Sequence, residues 1–503
     1  GDGIETDRVN ALFEKMVDGF LNHTLPAANE AAGDDGGQPE GYGYSGWGYA
    51  PWVAHMVEAW RTATGEDLWP RTPFLRWNPQ WMIYGARPFD GTFVKSEDIH
   101  AGKRWDRNEA EYIQLVAARY QDPYAQWIAR QVRDKHHVWT FTDIPWQAPD
   151  REPKAPGDLA LARHFDRLGW VMTRSSWKKD ATFGFFQCGD ERAGHQHRDN
   201  NAFTIYKYTP LAIDSGVYEW TPHRANYSVR TIAHNTITVY DPAERFWTGE
   251  ANDGGQNVFG RSQAVGNAHP DRFGEVTKGS AWDVGDIVAY QANPYFTYAV
   301  GDASRSYSRE KLVEFKRAFL HIQPDWFLIY DRVVTTKPAF PVRWLLHSID
   351  EPKARGDTVV ITNGRGRLFS RTLWPEEPRI ELVGGPGREF WVDGKNYPPP
   401  RPKPSDEVGA WRVEVYPGAP RTEDYFLHFL FATDKATRSA PEARLLKEAD
   451  GVGVEFEAAG KTYRLTFATE GDPAGHVTVT DSSGKVLIDR DLTQEVEPQR
   501  FMP

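Results

Sequence analysis

The hydrophobic period changes partway along the chain, and that change restricts the fold more than any other feature. In D-R-V-N-A-L-F-E-K-M-V-D-G-F-L-N, the residues Val9, Leu12, Phe13, Met16, Val17, Phe20 and Leu21 recur at intervals of three and four, the stripe of an amphipathic helix. Further helices are predicted over Pro51 to Thr64, stopped by Gly65, and over Arg107 to Tyr120. Another spans Pro123 to Val132, where Asp122-Pro123 supplies the proline favoured in a first turn. From about Leu168 the period becomes two. G-W-V-M-T-R-S-S-W, A-T-F-G-F-F-Q-C, A-F-T-I-Y-K-Y, N-T-I-T-V-Y and W-F-L-I-Y-D-R-V-V read as strands separated by Gly, Pro, Asn and Asp. Similar runs continue to the C-terminus, through V-R-W-L-L-H, W-R-V-E-V-Y, V-G-V-E-F-E-A, Y-R-L-T-F-A and H-V-T-V-T. Helices followed by a long run of strands make an α+β chain with segregated elements.

At 503 residues the chain exceeds what one core organises, so several domains are expected. The pattern divides it into a helical part over 1–160, a central antiparallel β-sandwich over 161–350 and a C-terminal β layer over 351–503. The proline-rich stretch Pro398 to Pro404 is a stiff connection within or between β layers. No repeat of solenoid period occurs.

Composition narrows the function classes. The net charge is −11 and no basic block appears, which argues against a nucleic-acid surface. The single cysteine, Cys188, excludes an internal disulfide and a thiolate zinc cluster. No apolar run is long enough to span a bilayer. The 20 Trp, 21 Tyr and 27 Phe suit either a sugar-stacking cleft or a large β core. The chain opens G-D-G-I-E-T-D without a signal peptide, the start of a cytoplasmic protein or of an exported one already processed.

Polar chemistry gathers in three places along the strands. In G-H-Q-H-R-D-N-N-A-F-T-I-Y, His195, His197 and Asp199 crowd the approach to an apolar strand. In L-A-I-D-S-G-V-Y, Asp214 interrupts an apolar run, and in T-I-A-H-N-T-I-T-V, His234 does the same. A lone strand histidine is usually a packed residue, but three such interruptions in one short region call for a metal site, an acid/base site or an unusually polar turn. Two imidazoles and a carboxylate suit Zn²⁺. His195 and His197, two residues apart, share one side of an extended chain, so one can serve a metal while the other faces substrate. A simple hairpin turning at Tyr208 to Pro210 places Asp214 opposite about residue 205, leaving His197 to reach the metal from the preceding loop.

The run from H-Q-H-R-D through L-A-I-D-S-G-V-Y to A-H-N-T-I-T-V resembles the β-domain signature of the heparinase II/III-like polysaccharide lyases. The stretch D-G-G-Q-P-E-G-Y-G-Y-S-G-W-G-Y, Asp35 to Tyr49, is similar to the tyrosine-bearing segment of that family's α/α toroid. The resemblance implies β-elimination on a uronic-acid polysaccharide in a cleft between a toroid and a β-sandwich. It makes His197, Asp214 and His234 the ligands of one zinc ion, mainly structural, His195 the histidine facing substrate, and Tyr44 or its neighbour Tyr42 the acid/base tyrosine. It also implies an upstream Asn or His that neutralises the substrate carboxylate. Asn22 and His23 are the only match nearby, closer to Tyr44 than the pattern puts them; otherwise that group lies on a segment outside this chain. Glu40, His100, Arg104 and Arg107 are further cleft candidates, Arg for its carboxylate-matching fork. His136, His137 and His347 read as structural. A periplasmic or secreted bacterial enzyme follows, with an acidic polysaccharide as partner and a homodimer as one oligomeric option. The competing readings are a glycoside hydrolase on the same scaffold, for which Glu40 and Asp199 are the carboxylate pair, and a glycan-binding protein without catalysis.

Overall fold

The computed structural model describes residues 6–499, apart from residues 47, 101, 137–151, 247–248, 258–277, 279, 281, 402–406 and 472–473. His137 and the end of the proline-rich stretch therefore lie outside the described residues.

The α+β expectation holds. Six α-helices come first among the described residues: α1 (Thr6–Gly19), α2 (Leu25–Ala32), α3 (Tyr49–Thr64), α4 (Pro73–Gly85), α5 (Arg107–Tyr120) and α6 (Pro123–His136). Gly65 ends α3 in the left-handed conformation that favours glycine, at φ 78°, and its N–H returns to the Arg61 carbonyl. At the start of α5, Asp106 and Glu109 form a reciprocal capping box. Periodicity alone did not reveal α2 and α4. In α4, ten of thirteen positions are buried and Pro79 lies inside the helix, so no polar face marks a stripe. The stripe of α1 is present but uncovered: Val9, Leu12, Phe13 and Met16 are all more than half exposed.

A five-stranded antiparallel sheet follows in chain order: β1 (Ala162–Phe165), β2 (Trp170–Arg174), β3 (Thr182–Gln187), β4 (Ala202–Lys207) and β5 (Thr209–Ala212). Alternation along these strands builds two cores at once. Trp170, Met172, Phe183, Phe185 and Tyr206 face the helices, whereas Val171, Phe186, Phe203 and Ile205 face an eight-stranded antiparallel sheet. Gly184 lies on the second face, where an added Cβ would come within 2.7 Å of the Phe327 ring; only glycine lets the sheets approach there. Each fully buried Phe on these faces contributes about 1.5–3 kcal/mol of transfer free energy.

The eight-stranded sheet pairs Phe296–Asp302, Leu312–Ile322 and Trp326–Thr335 with Glu423–Asp434 and Gly366–Trp374. It therefore joins strands from both sides of residue 350, and the domain boundary expected there falls inside a sheet. A four-stranded sheet holding Ile237–Val239, Val342–Ser348 and Trp411–Tyr416 shares its core. On its opposite face, Leu320, Leu328 and Phe429 pack against the final five-stranded sheet, which begins at Ala443.

The β4–β5 hairpin is tighter than the sequence suggested. Tyr208 turns the chain alone at φ 63°, and with a bulge beside Tyr206 the register sets Ile205 opposite Ala212. Asp214 is thereby carried beyond the strand toward the loop holding His197, which the simple hairpin did not achieve. None of the described helices is long and apolar enough to cross a membrane.

Candidate active site and metal centre

The site forms where the loop before β4, the segment after β5 and the turn at His234 meet two stretches of the helical half. His197, Asp199, Asp214 and His234 come together, all buried, with one ligand atom from each within 4.8 Å of the others. Asp214 Oδ1 lies 3.4 Å from His234 Nδ1, and Asp199 Oδ2 lies 3.9 Å from it. Four buried atoms here have no hydrogen-bond partner: His197 Nδ1, Asp199 Oδ2, Asp214 Oδ1 and His234 Nε2. Buried polar atoms left unpaired are costly, and a cation bound among His197 Nδ1 and the two carboxylates would satisfy those that face it. Burial favours a neutral His234, but Asp214 and Asp199 outweigh it and push its pKa up, so the pocket demands positive charge. The residues thus fit a metal ion. Asp199, expected only as one of a hydrolytic carboxylate pair, is the fourth member of this cluster.

A second stretch enters from the loop between α4 and α5. Lys95 Nζ donates to the carbonyls of Asp214 and Gly216 at 2.9 and 2.6 Å. Glu97, at φ 58°, accepts the His197 backbone N–H at 2.5 Å. Asp98 accepts from His195, His197 and Arg224. Burial would raise the Asp98 pKa, but these donors hold it far below the ordinary carboxylate range. For Glu97, burial beside Asp199 and Asp214 pushes the pKa well up, against the backbone hydrogen bond. Neither residue was expected from the sequence. Of their neighbourhood only His100 is a cleft candidate from the sequence; an acidic pair in a loop reads as solvated because charged residues are rarely buried.

Aromatic side chains gather around His195. The Tyr44 ring lies 4.2 Å from the His195 ring, centroid to centroid, and its hydroxyl is 2.8 Å from that of Tyr218. Trp220, 71% exposed, donates its indole N–H to the Tyr218 hydroxyl at 3.1 Å and carries the Arg224 guanidinium over its ring. Glu40 Oε1 sits 3.9 Å from His195 Nε2, and exposed His100 lies beside the Tyr218 ring at 5.5 Å. Desolvation and the Tyr218 hydrogen bond push the Tyr44 phenol above its ordinary range, with Asp98 and Glu40 adding to the effect. The Tyr44 phenol thus keeps its proton more firmly than an ordinary tyrosine.

The remaining expected residues lie elsewhere. Tyr42 is fully buried, stacked on Trp81 and Phe93, and its hydroxyl donates to the Trp81 carbonyl. Asn22 and His23 are exposed on the short helical segment after α1, both paired with Asp18. Arg107 is exposed at the start of α5 and pairs with Glu111 one turn on. Arg104 is exposed, and His347 is buried against Asn235 and the Ile232 carbonyl.

Residues 158–392 match the family model described as "Heparinase II/III-like, C-terminal", a span that holds the whole His/Asp cluster and His195. No curated protein matches the chain in sequence. Among solved structures, the chain is similar to a heparan sulfate lyase HepC mutant from Pedobacter heparinus, at 14% identity and a TM-score of 0.57, covering 92% of this chain and 59% of that one. A structure of heparinase III is similar at 12% identity and a TM-score of 0.56, covering 88% of this chain and 62% of that one. A heparinase III gene product shows 15% identity and a TM-score of 0.55, over 86% and 59% of the two chains. The chain spans roughly three fifths of the length of these structures, and at such identities the likeness speaks for the fold. The family match over the β half and the resemblance read from the H-Q-H-R-D run agree: residues 158–392 of this chain are a heparinase II/III-like C-terminal region, carried on a fold shared with the heparinase structures.

Proposed function

We propose that the chain is a polysaccharide lyase that cleaves a uronic-acid polymer by β-elimination, with Tyr44 and His195 as its acid/base pair. The observation carrying this reading is the packing of the Tyr44 ring on His195, beside Tyr218 and Trp220. β-Elimination needs a base for the C5 proton, an acid for the departing O4 and a donor that lowers the charge on the substrate carboxylate. His195, with Nε2 toward the cleft, serves as base. Tyr44, held protonated, serves as acid. His100 beside Tyr218 is the group we assign to the carboxylate, and Trp220 offers a stacking face for a sugar ring. Glycoside hydrolysis would need two carboxylates flanking the scissile bond. Asp199 is buried in the metal cluster instead of facing Glu40, which favours elimination.

The test is a panel of uronic-acid polymers followed by ultraviolet absorbance, since elimination alone creates a conjugated unsaturated uronate. Rising absorbance supports the proposal. New reducing ends without absorbance would make the chain a hydrolase, and retention on an immobilised polymer with neither signal would make it a binding protein. The polymers that the similar structures are named for, heparan-type chains, belong first on that panel; a periplasmic or secreted site of action fits such a substrate.

We further propose that the cluster holds one zinc ion, with His197, Asp199, Asp214 and His234 as its ligands. Zinc bond lengths near 2.0–2.2 Å put tetrahedral ligand atoms about 3.4 Å apart, so the four side chains need only close up slightly. The ion would brace the loop that presents His195. Metal analysis should find about one zinc per chain, and a strong chelator should lower the thermal midpoint. Protein with no metal whose melting is indifferent to chelator would sink this assignment.

A further inference from the structure

Three side chains of the β half converge on one carboxylate from the helical half. Asp98, buried, receives His195 Nδ1 at 2.9 Å and Arg224 Nη2 at 2.6 Å on Oδ2, and His197 Nε2 at 3.1 Å and Arg224 Nε at 3.3 Å on Oδ1. An ionised carboxylate accepts and never donates. Each histidine must therefore carry its proton on the nitrogen that faces Asp98. For His195 this is Nδ1, which leaves the lone pair on Nε2, toward Glu40 and the cleft. For His197 it is Nε2, which leaves the lone pair on Nδ1, buried without a partner among Asp199, Asp214 and His234. The two rings, two residues apart, are held in opposite tautomers by a single group.

We propose that Asp98 is the positioning residue of this site: one carboxylate gives His195 the free Nε2 of a base and His197 the free Nδ1 of a metal ligand. The guanidinium of Arg224 takes up the remaining acceptor capacity and keeps the carboxylate ionised between two imidazole N–H donors. Asp98 does not move between these tasks, because its neighbours are anchored to the same loops. Glu97 holds the backbone of His197, and Lys95 holds the carbonyls of Asp214 and Gly216. The helical half thus presets both the reacting histidine and the metal centre of the β half. The tautomer assignment stands on geometry alone, and only its effect on rate rests on the lyase reading.

The experiment uses the full chain, labelled with ¹⁵N-histidine and zinc-loaded, with long-range proton–nitrogen correlation spectra at about pH 8, where histidines are mostly neutral. His195→Ala and His197→Ala spectra assign the two rings. The expected result is an Nδ1–H pattern for His195 and an Nε2–H pattern for His197. Asp98→Asn replaces one acceptor oxygen by a donor, so it can satisfy only one of the two rings in its native tautomer. It should lower kcat by about 10²–10⁴-fold, the scale seen when a histidine is left in the wrong tautomer, with KM changed less than about threefold. Both rings in the Nε2–H form in the parent protein would overturn the proposal, and so would an Asp98→Asn protein with parental kcat. Should Asp98→Asn fail to fold, the parent spectrum decides alone. A chain inactive on every polymer would defeat the lyase reading while the tautomer pattern still upheld or refuted the role of Asp98.

Discussion

Tyr44→Phe is expected to lower kcat on a cleaved uronate polymer by about 10²–10⁴-fold, the contribution of a positioned general acid, with KM nearly unchanged. The substitution removes one hydroxyl from a half-exposed ring and leaves its packing on His195 intact. Tyr218 loses a partner, but its hydroxyl still accepts from the Trp220 indole, so no buried group is orphaned. Stability should therefore change by no more than about one hydrogen bond, roughly 0.5–1.5 kcal/mol. Tyr42→Phe provides the contrast. Its hydroxyl donates to the Trp81 carbonyl deep in the helical core, so it should cost stability on that same scale and spare turnover. Kinetics on the two variants separate the residues that E-G-Y-G-Y leaves ambiguous. Near-parental turnover of Tyr44→Phe would remove Tyr44 from the mechanism, and the reverse pattern would move the acid to Tyr42.

What could be read from the sequence follows from how local each signal is. The change of period near Leu168 announced the α+β layout, because burial on alternate sides leaves its mark within a few residues. Asp214 and His234 stood out because a polar side chain in an apolar run must be accounted for locally. Glu97 and Asp98 did not stand out. Their partners are about a hundred residues away in sequence, and no spacing rule announces such an encounter. The stripe of α1 shows the converse limit: periodicity identified the helix but could not say whether its apolar face would be covered, and in the described residues it is not. A simple hairpin misplaces Asp214 for a smaller reason, a one-residue turn at Tyr208 that a residue other than glycine rarely makes. Tyr218 and Trp220 lie in Y-E-W-T-P-H, ordinary loop residues until Tyr44 is brought against Tyr218.

The largest effect on stability is expected at Arg317, which lies far from the cleft in sequence yet supports it. Its guanidinium is fully buried, forked on Asp331 at 2.6 and 2.7 Å, and its Nη1 donates to the carbonyls of Asn201 and Asn235, both at 2.7 Å. Asn201 follows the loop bearing His197 and Asp199, and Asn235 follows His234, so one side chain ties together the two backbones that bring the His/Asp cluster together. Arg317→Met strands a buried carboxylate and two carbonyls. Breaking a buried pair from one side costs about 3–5 kcal/mol, a loss that should appear as a clearly lowered melting midpoint. Arg317→Met with Asp331→Leu removes both charges and should recover part of that loss, since an apolar pair of similar volume can replace a buried ion pair. The double variant does not restore the ties to Asn201 and Asn235. Its metal content should therefore stay low while its melting midpoint rises toward the parent. If thermal midpoint and metal content recover together, the charge pair alone matters and the proposed tie between the two loops is wrong; if neither recovers, the cost comes from packing and not from the stranded carboxylate.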